Sequence, residues 1–169
     1  MPTELEDVKY QVAVANRVLS AMGLTTGATA SLGHASRRMP SDAGRFAIKG
    51  RGYKIDVLSR VLPEEMVVCD LNGSQVEGSP GLTPCYEIKM HSCIYRARPE
   101  VQSIVHVHPR YTVVMSVLPK TLVPMCPEGI GLVRHPLPDR QSTRLHSRHP
   151  LSSYPDSCLE NKTNALSCF

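Results

Sequence analysis

The chain has 169 residues and a formal net charge of +4, with 41% hydrophobic and 20% charged residues. That balance excludes a disordered chain and suits one domain with an apolar core, while no run approaches the ~18 consecutive apolar residues of a membrane span. Lys and Arg are scattered rather than gathered among aromatics, which argues against nucleic acid, and the basic balance fits a small anionic molecule equally well.

The opening stretch, Met1-Pro-Thr-Glu-Leu-Glu-Asp7, is acidic and lacks the blocks of a signal peptide, so the 6 cysteines read as reduced cytosolic thiols. No Cys-x-x-Cys pair is present, which counts against a disulfide framework and a cysteine zinc site. Leu5 to Met22 spaces Val8, Val12, Ala15, Leu19 and Met22 at helical intervals, and Gly23 can end that helix. Ala28 to His34 is a short strand candidate closing on a glycine turn. Gly44 to Lys49, with Phe46 and Ile48 alternating, is a second strand before Gly50-Arg51-Gly52. Leu62 to Met66 reads as a single turn leading into a strand over Met66–Leu71, and Asp70-Leu-Asn-Gly73 marks a hairpin.

Pro84 is expected to open a helix reaching about Ala97, where Arg98-Pro99 breaks it. Cys69 and Cys93 then read as small buried residues. Val101 to Pro109 forms a further strand, followed by a helix from Pro109 to about Val117. Helices and strands mix without strict alternation, which predicts an α/β domain with a mixed sheet. From Asp139 to Phe169 the chain is rich in Ser, Arg, His, Thr and Pro and shows no apolar period. Two readings of that stretch stand: a disordered tail, or residues foreign to the fold that arose from a different exon end or a shifted frame.

The chemistry concentrates in Val105-His106-Val107-His108-Pro109. A strand alternates faces, so both imidazoles project the same way, roughly 7 Å apart along the backbone. Such a pair suits a divalent transition metal, zinc above all, and Pro109 places it at the strand's end. Glu87 and His91 stand one helical turn apart on a common face. A carboxylate beside a metal can transfer protons or bind the metal until substrate displaces it. His91 reads as a packing or hydrogen-bonding residue. The loops Gly33-His34-Ala35-Ser36-Arg37-Arg38 and Lys49-Gly50-Arg51-Gly52 combine close backbone approach with cationic donors, as an anion site requires, although solvated turns would read the same way.

Together, Gly33–Ser36, Phe46–Gly52, Asp70–Gly73, Pro84–His91, Ile94–Val101 and Val105–Pro109 resemble, in order, the landmarks of the class II aldolase/adducin head domain. The resemblance covers about residues 5 to 138, which sets the domain at 1–138 and the non-family tail at 139–169. It implies a three-layer α/β/α fold with a mixed, largely antiparallel sheet, incomplete at the C-terminus, and a homo-oligomer, tetrameric in the family. It also implies that His106 and His108 are two of three zinc ligands, with Glu87 the catalytic acid/base. The metal would act as a Lewis acid while a carbon–carbon bond breaks. Gly33, His34, Ser36, Lys49, Gly50, Cys85 and Tyr86 would hold a small anionic hydroxy or keto substrate.

Two departures from the family pattern stand out. Sugar-phosphate aldolases carry Gly-Asn-x-Ser and Pro-Ser-Ser-Glu, whereas this chain has His34, Cys85 and Tyr86 at the corresponding places. Gly-His-x-Ser-Arg resembles instead the branch that decarboxylates hydroxylated acids, a reaction needing the same electron sink. The family's third histidine, usually in Asn-His-Gly, has no counterpart; His135, His146 and His149 lie in no matching context. The readings left open are a zinc-dependent lyase, a non-catalytic adducin-like assembly module, and an inactive truncated product.

Overall fold

Thr3 starts the first helix. Its hydroxyl accepts the Glu6 amide proton at 3.3 Å, while the Glu6 carboxylate takes the Thr3 amide proton at 2.7 Å. This reciprocal cap opens α1, Glu4–Ala21, and Gly23, at φ +73, lets the chain turn away after it. The computed structural model describes residues 2–52, 57–118 and 123. It falls into two compact units, Met1–Arg110 and Tyr111–Phe169. Helix α3, Arg110–Val117, begins at the last residue of the first unit, and the described residues of the second are 111–118 and 123.

The first unit is built on a sheet of six strands: β1 (His34–Arg38), β2 (Arg45–Arg51), β3 (Met66–Asp70), β4 (Gln75–Glu77), β5 (Thr83–Pro84) and β6 (Ser103–His106). Their order is β4-β3-β2-β1-β6, with β5 on β2, and every described pairing is antiparallel. Asp70 accepts the amides of Asn72 and Ser74, and Gly73 adopts φ +78, which makes the β3–β4 hairpin turn.

Alternation along β2 and β3 sorts two cores. Ala47, Met66 and Val68 pack against Val8, Val12 and Ala13 of α1. Phe46, Ile48, Val67 and Cys69 face the other way, against Ile88 and Tyr95 of α2, Ile88–Ala97. Sheet between two helical layers gives the expected α/β/α arrangement. Because both faces are covered, β2 and β3 are buried along nearly their whole length. Phe46, Ile48 and Val67 are 0% exposed, and burying each contributes about 1.5–3 kcal/mol.

Three expected boundaries move. Ala28–His34 is not a strand: Gly27–Thr29 is a single 3₁₀ turn, and the strand begins at His34. On the side facing α2, β1 presents His34, Ser36 and Arg38, so the apolar alternation that normally marks a strand is missing. The helix expected from Pro84 starts at Ile88. Pro84 instead pairs with Gly50 on a two-residue strand, where a missing N–H is tolerated. Lys49–Arg51 is not loop but the end of β2. Added at Gly50, a β-carbon would stand 2.7 Å from the Glu65 carbonyl oxygen, so close approach of backbone explains that glycine.

Candidate active site

Strand β1 lies between β2 and β6, and its register sets His34 opposite His106. Their rings lie side by side, with centroids 5.1 Å apart. From the helical layer, Glu87 stands at the N-cap position of α2, and His91 and Tyr95 follow at successive turns on the same face. A helical row of 87, 91 and 95 therefore meets a strand row of 34, 36 and 38.

The two rows are joined by hydrogen bonds. His34 Nε2 lies 3.2 Å from Glu87 Oε2, and His34 Nδ1 lies 3.0 Å from His91 Nε2. Ser36 Oγ lies 2.7 Å from His91 Nδ1 and 2.8 Å from the Tyr95 hydroxyl. His34, Ser36, His91 and Tyr95 are all buried. Arg38 closes the row with its guanidinium 4.5 Å from the centre of the Tyr95 ring.

Electrostatics follow from these contacts. The hydrogen bond from His34 holds Glu87 down at about 2 against the opposing cost of burial. Glu87 is thus a carboxylate at neutral pH. Burial, then the neighbouring His34 and His108, lowers His106 to about 4, and burial lowers His91 well below the ordinary imidazole range. Both rings are neutral at pH 7, the form that offers a lone pair to a metal or a hydrogen bond.

His106 ends β6 and His108 lies just beyond it, yet their Nε2 atoms approach to 2.8 Å with the rings edge to face. The two imidazoles converge, although only His106 lies on the strand that the spacing assigned to both. Around a tetrahedral zinc, ligand nitrogens at ~2.0–2.1 Å stand about 3.3 Å apart, so a small spread of this pair admits the ion. Glu87 is an electrostatic neighbour of His106 but makes its direct contact with His34. A second donor set lies beside the pair: His34, Cys85 and Glu87 place one ligand atom each within 4.8 Å of one another. Burial pushes the Cys85 thiol up to about 12, so it would have to lose a proton to serve. The donor chemistry present therefore fits a divalent metal.

The remaining expected residues are distributed unevenly. His34 and Ser36 are buried in β1 with their polar atoms engaged by protein groups. The Lys49 ammonium is buried and donates to the Ser31 carbonyl oxygen at 2.8 Å. Gly33 packs against the Thr25 side chain and the His106 carbonyl, and Gly50 against the Glu65 carbonyl. Cys85 belongs to the core on the α2 side. Tyr86 is 61% exposed next to Glu87, and Arg51 stacks 3.5 Å above its ring while donating to the Pro84 carbonyl oxygen. His135, His146 and His149 lie outside the described residues. Tyr95 was not singled out by the sequence, and His91 was left without a site role. The polar stripe of 87, 91 and 95 on an otherwise apolar helical face is the signal that could have found them.

The model of the class II aldolase and adducin N-terminal domain matches residues 10–151. The chain belongs to that family. Among curated relatives, it is 38% identical to a 3,4-dihydroxyphthalate decarboxylase of Terrabacter sp. over 106 residues, which is 60% of this chain and 41% of that protein. It is 32% identical to an L-fuculose phosphate aldolase of Methanococcus maripaludis over 93 residues, 55% of this chain and 48% of the relative. The chain thus spans less than half the length of these relatives. Among solved structures, an aldolase II superfamily protein from Pseudomonas syringae shares the fold at a TM-score of 0.64 and 24% identity, over 79% of this chain and 51% of the other. An L-fuculose 1-phosphate aldolase from Glaciozyma antarctica matches at 0.59 and 25% identity, over 72% and 50%. The named relatives are lyases, aldolases and a decarboxylase. Among the described residues, no helix is long and apolar enough to cross a membrane.

Proposed function

We propose that this class II aldolase-type domain is a zinc-dependent carbon–carbon lyase acting on a small anionic hydroxy or keto compound. The observation that carries the reading is the meeting of the His106 and His108 Nε2 atoms at 2.8 Å, beside the ionised Glu87. His106 and His108 hold the metal. When bound, the cation supplies a Lewis acid for the charge that carbon–carbon cleavage leaves behind.

Glu87 moves the proton. As a carboxylate it accepts one from a substrate hydroxyl and returns one to the carbon from which the departing group leaves. Its side chain is 36% exposed, enough to be reached by substrate. Tyr86 and Arg51 flank it, and the guanidinium N–H groups not spent on Pro84 can take the substrate's anionic end. Gly33, Gly50 and Lys49 support the walls from behind.

Decarboxylation of a hydroxylated acid is the favoured reaction. His34 stands where sugar-phosphate aldolases carry a phosphate-holding asparagine, and both its ring nitrogens are engaged by Glu87 and His91. The family resemblance adds assembly as a homo-oligomer and a place in the cytosol.

The test is metal analysis of the purified protein beside His106→Ala/His108→Ala, with turnover of 3,4-dihydroxyphthalate and L-fuculose phosphate. About one zinc per chain, lost in the double variant together with activity, is expected. Equal zinc in both proteins would overturn the reading.

A further inference from the structure

We propose that His34 is the positioning residue for Glu87, and that the buried Tyr95–Ser36–His91 chain locks it in the one tautomer able to do so, with its hydrogen on Nε2. The effect on turnover rests on the lyase reading; the tautomers do not.

Both ends of this hydrogen-bonded chain fix its polarity. A carboxylate only accepts, so the nitrogen 3.2 Å from Glu87 Oε2 carries a hydrogen. At the far end, Ser36 Oγ is the hydrogen-bond partner of the Tyr95 hydroxyl among the described residues. The phenol is 1% exposed, and burial raises it to about 12, so it keeps its hydrogen and must donate it to Ser36. Ser36 then donates its own to His91 Nδ1, which leaves the His91 hydrogen on Nε2. That hydrogen goes to His34 Nδ1, which must therefore be bare. Both ends demand the same protonation of His34.

The reverse polarity would make His91 donate to Ser36 and Ser36 to Tyr95. A buried phenol hydrogen would then have no acceptor. The chain is thus polarised in one direction, from a core tyrosine to the carboxylate that meets substrate.

The consequence is geometric. A ring held at both nitrogens cannot turn, and it fixes Oε2 of Glu87, leaving the other carboxylate oxygen for substrate. Without His34, a side chain at the N-cap position of a helix and partly open to solvent would sample several rotamers. His34 offers no atom to substrate and acts through Glu87.

The primary test needs no substrate. In protein labelled with ¹⁵N-histidine, metal-free and zinc-loaded, two-bond proton–nitrogen correlations report each ring's tautomer. His34 and His91 are both expected with hydrogen on Nε2. Ser36→Ala and Tyr95→Phe should move His91 toward a mixture of tautomers while leaving the His106 and His108 signals in place. A hydrogen on Nδ1 of either His34 or His91 in the unmodified protein would overturn the proposal.

Kinetics supply the second arm, on whichever of 3,4-dihydroxyphthalate or L-fuculose phosphate is turned over. His34→Ala should lower kcat ~10–100-fold with KM changed by no more than about twofold. His34→Gln, which retains an N–H donor of similar reach, should recover about tenfold of that loss. A rise in KM with kcat unchanged, or no recovery in the glutamine variant, would also overturn it. If neither compound reacts, the lyase reading fails while the tautomers still decide this inference.

Discussion

Arg38 shows how a charged residue becomes part of a core. It is 3% exposed, and its guanidinium donates to the carbonyl oxygens of Val101 (3.1 Å), Tyr95 (2.9 Å) and Arg98 (3.3 Å), and also to that of Ala43. Arg can do this because it presents five donors in a rigid fork. In the sequence it belongs to Gly33–Arg38, a stretch with the composition of an anion-binding loop. In the fold it ties the α2 C-terminus and the segment before β6 to the β1–β2 connection. Arg38→Met should therefore cost about 3–5 kcal/mol, since it strands several buried carbonyls as well as losing the charge. A urea titration should show a lower midpoint with an unchanged slope. A loss under about 0.5 kcal/mol would mean that these contacts are replaceable by water.

Elements in this protein are joined by buried polar side chains as well as by apolar packing. Asn16 of α1 is 0% exposed; it donates to Val12 carbonyl oxygen at 2.8 Å and accepts the Ala35 amide of β1 at 3.0 Å. That bond pins the first helix to the strand that carries His34. Asn16→Leu keeps the volume but leaves the Ala35 amide without its acceptor, a loss of about 1–3 kcal/mol. Amide exchange read by NMR should show faster exchange at Ala35 than at Phe46 or Val67; equal protection would refute the link. Strands β2 and β3 were legible because their runs are apolar on both faces. Strand β1 was not, because the side chains it turns toward α2 are polar, and the partners of His34 and Ser36 lie more than fifty residues away. Periodicity reads hydrophobicity and cannot see a hydrogen bond yet to be made.

For the molecule as a whole, the site's histidines set how stability responds to acid. His91 and His106 hold fewer protons in the folded state than in the unfolded one, because burial lowers both below 6.5. Stability therefore falls as pH drops below that value, and for His106 the loss continues to about 4. Glu87 acts in a lower window: its contribution is present above 4.5 and is lost as pH falls toward about 2. In metal-free protein, the melting temperature should decline between about pH 7 and pH 5, and zinc should offset the decline by competing with protons. A melting temperature that rises over that interval would contradict the burial of neutral imidazoles.

Composition, spacing and order of motifs determined the family and the sheet between helices, because these depend on local pattern and on side-chain alternation along each strand. Tertiary structure alone decided that His34 meets His106 across a strand register, that Glu87 leans on His34, and that Ser36, His91 and Tyr95 line up behind them. Those contacts join segments distant in the chain, and only packing α2 against the sheet brings their donors within reach of their acceptors.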